Sequence, residues 1–452
     1  MDDVKISMRG KGALMRRLLL PWVVAGGLVA GACADTNRVE LVVTTDRPGA
    51  VYQPGEEARF LVSVKSGGKP VTDGEVSFTM GQEGMPDPHQ GKVRLAQGAG
   101  SFGGTLKQPG FLQCRVAYRA MSLSTNVVTA LAAAGFAPED IRPSLPVPAD
   151  FDAFWTAQKK RLAAVPMKPE LTPVKSPMDG VECFDVKIPC VPPRPVSGYF
   201  AKPADARAKG HPAMLSVHGA GVHNSNLAGA AGMAKLFNAL AMDINAHGIP
   251  NGNPKAFYEE LSRGELKEYR RQGCEDREKC YFLGMFLRLV RALEFLKSQP
   301  EWDGRVLIVR GSSQGGGQSI AAAGLDAQVS FISAGVPAIC DHSGKAAGRV
   351  AGWPKLVPEV DGKPDPTVLE VARYFDCMNF ATRAKAEGLF DVGFIDITCP
   401  PSSVYAMYNN WPGKKEMHIE PLMGHAVSPR FVDATNKRIK AHIQKFSGNS
   451  QP

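Results

Sequence analysis

The chain has 452 residues, of which 44% are hydrophobic and 21% are charged, as in a globular protein large enough to bury a sizeable core. The formal net charge is +9, but five basic and two acidic residues lie in the first 32 positions, which leaves +6 for the rest. The remaining Lys and Arg are dispersed and are not clustered with aromatic residues, a pattern that excludes a nucleic-acid-binding protein.

Residues 1–32 predict a secretory signal peptide. Five basic residues precede the apolar stretch 18–29, which is shorter than the roughly 20 residues of a transmembrane helix. Small residues end the stretch at Ala32, and Cys33 follows directly, which resembles a bacterial lipoprotein cleavage site where the cysteine is lipidated and anchors the chain to a membrane. Plain cleavage after Ala32 is the alternative. Both predict an exported protein that is periplasmic, attached to the cell surface or secreted.

The remaining 420 or so residues predict two domains. Short β-rich runs separated by Gly and Pro turns between residues 37 and 132 are typical of an immunoglobulin-like β-sandwich. This domain would either pack on the second domain as a spacer or bind sugar. Residues 133–146, rich in small residues and containing Pro, are predicted to be a linker.

Residues 147–448 alternate strand and helix signals, which predicts an α/β domain with a mostly parallel sheet. A leading strand pair is expected at 182–188 and 196–201. Five central strands and one further strand at 416–420 follow. Apolar residues recur every three or four positions between 281 and 296, which predicts a helix with a core-facing stripe.

A serine between two glycines stands where one of these strands meets a helix. Residues 306–310 form an apolar run, and Gly311, Ser313 and Gly315 follow it in the pattern Gly-x-Ser-x-Gly. This pattern is typical of the nucleophile elbow of the α/β-hydrolase fold, in which glycines allow a turn too sharp for a neighbouring Cβ. No other serine of the chain satisfies the pattern, so Ser313 is the candidate nucleophile.

A serine hydroxyl needs a base and a carboxylate that orients the base, and in this fold the chain order is Ser, acid, His. Asp396 follows the predicted strand 389–395, and His425 follows the strand 416–420. Asp341 also stands at a strand end and is the alternative acid, although its neighbour His342 is too close in sequence to serve as its base. Asp391 and His418 lie inside predicted strands and are weaker candidates.

The oxyanion of the reaction needs backbone N–H donors. One is expected from Gln314, directly after the candidate nucleophile, and the other from Ala220, in a Gly-rich loop after the strand 213–217. In this reading His218 has a structural role. Trp353 and Trp411 lie in loop-like segments and are candidates for stacking on a sugar ring, with ordinary packing as the alternative.

Eight cysteines remain after Cys33, and the pairs Cys183–Cys190 and Cys274–Cys280 are close enough in sequence to form disulfides in an oxidising compartment. Their low density favours burial as free thiols. No Cys/His spacing resembles a zinc site, and neither a metal nor an organic cofactor is expected.

Several of these segments together resemble the acetyl xylan esterase and cephalosporin C deacetylase family of α/β-hydrolases, over roughly residues 147 to 445. The similar segments are the elbow at 311–317, the acid loop at 394–405, the Gly-His pair at 424–425, the entry segment at 148–155 and the segments 374–376 and 379–380. The chain departs from the family at two places. Ala220 replaces the tyrosine of the His-Gly-Tyr loop, and residues 245–248 replace an Arg-Gly-Gln motif that supports the site and the family's ring-like oligomer.

The resemblance implies a serine esterase that removes acetyl groups from a polysaccharide or oligosaccharide, most specifically from acetylated xylan. Because of the two departures, another acetyl ester (cephalosporin C-like or another glycan) or a peptide is the alternative substrate, and the oligomeric state is left open. From a different class, the chain could be a carbohydrate-binding surface lipoprotein with a degenerate hydrolase domain. The complete Ser, Asp, His order argues against that reading.

Overall fold

The computed structural model describes residues 38–86, 88–119 and 127–447, so the predicted signal peptide and Cys33 lie outside the described residues. The N-terminal part is all-β, as predicted. Its strands are β1 (Val39–Thr45), β2 (Val51–Tyr52), β3 (Ala58–Ser66), β4 (Lys69–Pro70), β5 (Asp73–Gln82), β6 (His89–Ala96), β7 (Ala99–Gly104), β8 (Gly110–Arg119) and β9 (Val127–Phe136). They pair in the order β1-β3-β7-β6-β5-β8-β9-β2, with β4 on β3.

This path folds over on itself, and its two halves share one core. Buried and exposed residues alternate along β3 and along much of β5, so each strand turns one face inward. Phe60 of β3, Phe78 of β5 and Phe102 of β7 meet there, with the Phe78 and Phe102 rings stacked 3.9 Å apart. The core therefore lies between two layers of strands.

The linker predicted at residues 133–146 begins later than expected. Strand β9 continues to Phe136, and its last residues pair with β8 and β2. Their small side chains serve close packing, because a Cβ on Gly135 would lie 2.9 Å from the ring of Phe111. Composition alone did not distinguish a tightly packed strand from a flexible segment.

The C-terminal part is α/β. Its strands are β10 (Glu170–Val174), β11 (Val181–Ile188), β12 (Val196–Pro203), β13 (His211–Val217), β14 (Leu240–Ile244), β15 (Trp302–Ser312), β16 (Phe331–Gly335), β17 (Glu359–Val360), β18 (Lys363–Pro364), β19 (Glu387–Gly393) and β20 (Lys415–Glu420). Its helices are α1 (Phe151–Ala163), α2 (Leu227–Phe237), α3 (Lys255–Arg263), α4 (Tyr281–Ser298), α5 (Gln314–Leu325), α6 (Pro366–Ala372), α7 (Cys377–Ala381), α8 (Pro401–Asn409) and α9 (Pro429–Ser447). No helix in the described ranges is long and apolar enough to cross a membrane.

The main sheet of this part has the order β10-β11-β12-β14-β13-β15-β16-β19-β20. The pairs from β10 to β14 are antiparallel and all later pairs are parallel. The predicted leading pair (β11 and β12), the five central strands and the further strand β20 are all present, and β10 is an additional edge strand that was not predicted. Because β13, β15, β16, β19 and β20 are parallel, their carboxyl ends meet at one edge of the sheet.

Helices cover both faces of this sheet, as its apolar strands require. Leu307 and Val309 of β15 face one hydrophobic core with α4 and α5, and Val306 and Ile308 face another core with α2 and α9. Helix α4 contributes the predicted apolar stripe to the first core. The result is a three-layer α/β/α arrangement.

The two domains pack against each other beside the loop that follows β19. The ring of Phe111 from β8 is fully buried and lies 4.9 Å from the ring of Phe394. Gln113 donates a hydrogen bond to the backbone oxygen of Phe394 at 3.1 Å. The backbone N–H of Ser402 in α8 donates to the carboxyl group of Glu83 at 3.3 Å. Of the two roles considered for the N-terminal domain, packing on its neighbour is the one these contacts support.

Candidate active site

Ser313 occupies a strained turn between β15 and α5. Its φ of 57° and ψ of −123° are unfavourable for a residue with a side chain, at a cost of about 1–3 kcal/mol. Hydrogen bonds from its N–H to the oxygen of Gly335 and from Ala338 to its own carbonyl, both 2.9 Å, hold the turn. A Cβ on Gly311 would lie 2.6 Å from the backbone of Gly315, and a Cβ on Gly315 would lie 2.4 Å from the oxygen of Val217. The two flanking glycines are therefore required by space, as the sequence pattern predicted.

The structure brings the three residues of the predicted triad together. The Oγ atom of Ser313 lies 2.9 Å from Nε2 of His425, and Nδ1 of His425 lies 2.7 Å from Oδ2 of Asp396. Because a carboxylate accepts hydrogen bonds, Nδ1 carries the proton and Nε2 is free to accept the hydroxyl proton of Ser313. This is the tautomer in which histidine acts as a general base.

Two neighbouring loops position the acid and the base. Asp396 follows β19 and His425 follows β20, and these strands are parallel neighbours. The backbone N–H of Ile395 donates to the oxygen of Met423, which ties one loop to the other. Gly393 ends β19 where a Cβ would lie 2.4 Å from that same oxygen. The distance between the acid and the base is thus set by backbone contacts.

The Asp396 carboxylate is fully buried but well supplied with donors. Its Oδ1 atom accepts the backbone N–H groups of Thr398 and Cys399 at 2.8 and 2.9 Å, and Oδ2 is left for His425. Hydrogen bonds from backbone amides stabilise the ionised form of a buried carboxyl group. The turn that carries Asp396 therefore fixes the direction in which its carboxylate points.

The alternative candidates for the catalytic acid and base have other partners or are buried away from the serine. Asp341 is fully buried in an ion pair with Arg349 at 2.8 Å. Asp391 is also buried, and burial together with the nearby charge of Glu420 raises its pKa to about 7. His418 lies 3.2 Å from the Glu420 carboxylate. Within the described ranges none of the three is in hydrogen-bond contact with Ser313 or His425.

His342, the neighbour of Asp341, is a buried histidine with no partner on either ring nitrogen in the described residues. Burial lowers its pKa to about 3, so it stays neutral. It is part of the packing rather than of the site.

The loop after β13 lies beside Ser313, where the sequence predicted an oxyanion donor. A Cβ on Gly219 would lie 3.8 Å from the Cβ of Ser313, and the side chain of Gln318 in α5 donates to the oxygen of His218 at 3.1 Å. Ala220 follows and is exposed. The N–H of Gln314 begins α5, directly after Ser313. Gln314 is thus next to the serine and Ala220 directly follows the glycine that approaches it, and the donor role of Ala220 stays a prediction.

His218 fixes the start of this loop. Its Nε2 lies 2.5 Å from Oδ1 of Asp243 in β14, and the same oxygen accepts the N–H of Asn226 at 2.7 Å. Burial opposes a positive charge on His218, but the Asp243 carboxylate outweighs it and the pKa is raised. The predicted structural role of His218 agrees with these contacts. An acidic residue inside the apolar run 240–244 was the sequence signal for a buried partner.

A second buried histidine supports the far side of the same loop. Nε2 of His247 lies 2.9 Å from the oxygen of Gly221, and Nδ1 lies 2.6 Å from the hydroxyl of Tyr281. Burial lowers the pKa of His247 to about 4. The ring of Tyr269 packs edge-on against it at 4.6 Å. His247 belongs to the segment that departs from the family motif, and no pattern in the sequence indicates this role.

The two candidate sugar-stacking residues differ in their surroundings. Trp411 is 2% exposed, its Nε1–H donates to the oxygen of Ala386, and its ring lies 5.2 Å from Phe390. It is a core residue, and its prediction as a substrate contact is wrong, because the loop-like segment that carries it folds back onto β19. Trp353 is half-buried and packs on the hydrophobic core. Its contact with substrate stays a prediction.

All eight cysteines of the described ranges are free thiols, and Cys274 alone among them is not buried. Neither disulfide considered from the sequence is formed in the structure. Cys399 is of particular interest because it directly follows the turn of Asp396. Burial raises its pKa well above the usual value, so it is a neutral thiol and not a competing nucleophile.

The sheet order, the strained serine and the hydrogen-bonded imidazole and carboxylate define an α/β-hydrolase with the arrangement of a serine ester hydrolase. The sequence profile of the acetyl xylan esterase (AXE1) family matches residues 139–443. The chain belongs to this family, whose members are carboxylic ester hydrolases.

Individual relatives agree with this assignment. Acetyl esterase Axe7A of Xylanibacter ruminicola is 30% identical over 423 residues, which cover 91% of this chain and 93% of that protein. The solved acetyl xylan esterase from Paenibacillus sp. R4 is 27% identical with a TM-score of 0.57, over 67% of this chain and 98% of that one. Acetyl xylan esterase 1 from Thermoanaerobacterium sp. JW/SL YS485 is 24% identical with a TM-score of 0.55, over 68% and 97%, and supports the fold.

Proposed function

We propose that this chain is a serine esterase that removes acetyl groups from xylan or xylo-oligosaccharides, with Ser313, His425 and Asp396 as the catalytic residues. The observation that supports it most directly is the unbroken series of contacts from the Ser313 hydroxyl through His425 to the buried Asp396. The relatives are an acetyl esterase and an acetyl xylan esterase, which supports acetyl as the acyl group and xylan as the sugar.

In the first half of the reaction, Ser313 Oγ attacks the acetyl carbonyl carbon while Nε2 of His425 takes its proton. Asp396 stabilises the imidazolium that forms. The negative charge on the carbonyl oxygen is met by the N–H groups of Gln314 and Ala220, and each such donor contributes on the order of 3 kcal/mol to the transition state. The tetrahedral intermediate then expels the sugar oxygen, which takes the proton from His425 and leaves an acetyl group on Ser313.

In the second half, a water molecule replaces the sugar. His425 takes a proton from the water as its oxygen attacks the acetyl carbon, and the same two N–H groups hold the second oxyanion. The bond to Ser313 Oγ breaks, the serine oxygen recovers its proton from His425, and acetic acid leaves.

The direct test is acetate release from acetylated xylo-oligosaccharides by the wild type and by Ser313→Ala. We expect kcat to fall by about 10⁵–10⁶, the loss that accompanies removal of a serine nucleophile. Ser312→Ala is the matched control, since it removes the neighbouring hydroxyl without touching the triad, and it should retain activity within severalfold. Equal acetate release by the wild type and Ser313→Ala would rule the mechanism out.

A second experiment identifies which sugar and which acyl group the enzyme prefers. Ala220 is exposed and leaves the oxyanion loop without an aromatic side chain, which favours some tolerance for acyl groups longer than acetyl. A panel of acetyl, butyryl and aminoacyl esters, with a cephalosporin C-type acetate among them, compares kcat/KM directly. Labelling of Ser313 by a fluorophosphonate separates any of these enzymes from a binding protein with a degenerate site.

We further propose that the protein is exported with cleavage after Ala32 and lipidation of Cys33. The support is the order of basic, apolar and small residues before that cysteine. Partition of the mature protein into a detergent phase, lost in Cys33→Ala, is the expected result. Recovery of the wild type from the aqueous phase would favour plain cleavage instead.

A further inference from the structure

Three side chains of different chemistry converge on one small volume at the active site. A carboxylate oxygen of Asp396, the Sγ atom of Cys399 and a ring nitrogen of His425 all lie within 4.8 Å of one another. Carboxylate, thiolate and imidazole are the ligands that Zn²⁺ binds in proteins. Ester hydrolysis assigns roles to the carboxylate and the imidazole but none to the thiol.

The chain holds two of these ligands rigidly. Asp396 and Cys399 belong to one turn, in which the Cys399 N–H donates to Oδ1 of the Asp396 carboxylate at 2.9 Å. Both side chains are almost completely buried, with exposures of 0% and 1%. The thiol also interacts with the hydroxyl of Ser313, so the sulfur lies at the edge of the hydrophobic core where that core meets the reacting groups.

The third ligand, His425, is the one that solvent can reach. The side chain of His425 is 27% exposed, so an ion can reach the site from solvent past the imidazole. Zinc with Zn–N near 2.1 Å and Zn–S near 2.3 Å separates its ligand atoms by about 3.3–3.6 Å in tetrahedral geometry. Because no two of the ligand atoms lie more than 4.8 Å apart, a contraction of at most about 1–1.5 Å brings them to this geometry, and His425 is the most exposed of the three side chains.

We propose that Asp396, Cys399 and His425 form a site for a thiophilic divalent cation such as Zn²⁺, and that occupation of this site inhibits the esterase. The inhibition rests on the proposed function, whereas the binding does not. On binding, the Cys399 thiol releases its proton to solvent and its sulfur forms the metal–sulfur bond. The two charges of the ion are then balanced by the thiolate and the carboxylate, and the neutral imidazole donates a lone pair.

Inhibition follows from the imidazole. If the metal takes Nε2 of His425, the base that accepts the Ser313 proton is blocked. If it takes Nδ1, the proton moves to Nε2, which then donates and no longer accepts. Water or the Ser313 hydroxyl completes the tetrahedron. Because the set contains a thiolate, Zn²⁺ and Cd²⁺ should inhibit at concentrations where Mg²⁺ and Ca²⁺, which prefer oxygen ligands, have no effect.

The test measures hydrolysis of 4-nitrophenyl acetate against free Zn²⁺ in a metal buffer, with recovery by a chelator. Cys399→Ser and Cys399→Ala are each compared with their own metal-free rate, so that a change in basal activity does not enter. We expect the inhibition constant to rise at least tenfold in both. Cys183→Ser removes another buried thiol, in β11 away from the site, and should keep the zinc sensitivity of the wild type.

A second measurement does not depend on catalysis. Co²⁺ added to Ser313→Ala should produce a thiolate-to-cobalt charge-transfer absorption, and the double variant Ser313→Ala/Cys399→Ala should lack it. Failure of the proposed esterase reaction would leave this absorption in place, so the two proposals can be told apart. The metal site would be overturned if Cys399→Ala were inhibited at the same Zn²⁺ concentrations as the wild type, or if no Cys399-dependent cobalt band appeared.

Discussion

The hydroxyl of Tyr269 donates a hydrogen bond of 2.5 Å to the side-chain oxygen of Gln314, the residue that follows Ser313. Tyr269 also packs against His247, which bonds to the oxygen of Gly221 in the opposite loop. One buried group of side chains therefore contacts both segments that are proposed to donate N–H groups to the oxyanion. The alignment of these two donors depends on residues that do not touch the substrate.

We predict that His247→Phe lowers kcat by about tenfold or more and leaves KM nearly unchanged. The substitution fills the space of the ring but removes the donor to Gly221, so the loop of Ala220 loses a restraint that matters most when the oxyanion forms. Steady-state kinetics on 4-nitrophenyl acetate separate kcat from KM.

His247→Gln is the matched variant, since its amide N–H can still donate to the oxygen of Gly221. It should recover part of the lost kcat. If both variants showed the same kcat with a common fall in thermal stability, His247 would have a packing role alone.

Tyr269→Phe should also lower kcat, with a loss of transition-state stabilisation of about 1–2 kcal/mol. The change leaves the buried Oε1 of Gln314 without its donor, and an unsatisfied buried acceptor costs about 1–3 kcal/mol. Part of that cost lowers the free energy of unfolding. The rest lowers kcat, because the N–H of Gln314 at the start of α5 is held less firmly. Tyr281→Phe removes the hydrogen bond to Nδ1 of His247 and leaves Gln314 untouched. Comparing the two variants separates the effect of the Gln314 contact on kcat from the effect of the His247 contact.

Ala220→Tyr should narrow the range of acyl groups. The exposed Ala220 leaves space beside Ser313, and an aromatic ring at this position would form a wall of the acyl pocket. Each methylene that no longer fits costs about 1–3 kcal/mol and a butyryl group has two more than an acetyl group, so kcat/KM for a butyryl ester relative to an acetyl ester should fall by about 30-fold or more. An unchanged ratio would place residue 220 outside the acyl pocket.

Glu83 should make the stability of the fold depend on pH. Burial raises its pKa to about 8, well above the ordinary value of a glutamate; the charge of Asp396 adds to the rise, and Ser402 and Arg349 oppose it. The folded state thus binds a proton that the unfolded state releases, and stability from this group decreases as pH rises from about 4.5 through 8. Glu83→Gln removes this dependence.

The measurement is the free energy of unfolding in urea at pH 5 and at pH 9, for the wild type and for Glu83→Gln. The variant should gain stability relative to the wild type at the higher pH, by up to about 4 kcal/mol for a group shifted this far. A difference between the two proteins that did not change with pH would show that Glu83 is ionised in the folded state.

The interface between the domains can be tested at Phe111. Phe111→Ala should lower the free energy of unfolding by about 3–5 kcal/mol, as for other buried aromatic residues. Because Phe111 packs on Phe394, two residues before Asp396, kcat should fall as well. Phe78→Ala creates a cavity inside the N-terminal domain without touching the second domain, and it should lower stability with no change in kcat at a temperature where both variants are folded.

The succession of strands along the chain and the positions of Ser313, Asp396 and His425 could be predicted from the sequence because each depends on local signals. An apolar run followed by Gly-x-Ser-x-Gly, residues 306–315, describes a strand, a turn and the start of a helix. Parallel strands also have their carboxyl ends at one edge, so a polar residue after each of them is enough to assemble a site.

What could not be predicted depends on contacts between distant segments. Trp411 is polar at one end of its ring and lies in a segment without regular structure, yet its N–H is satisfied by Ala386 and the ring is buried. Nothing near His247 in the sequence indicates that it meets Gly221. The position of Cys399 next to His425 depends on two loops that are 26 residues apart.

The contact of Phe111 with Phe394 also bears on how this esterase can be shortened or recombined. Cutting the chain after β9 would expose the apolar surface around Phe394 to solvent. It would also remove Phe111 and Gln113, which contact the segment leading to Asp396. The two domains are therefore best transferred, expressed and compared with relatives as one inseparable unit.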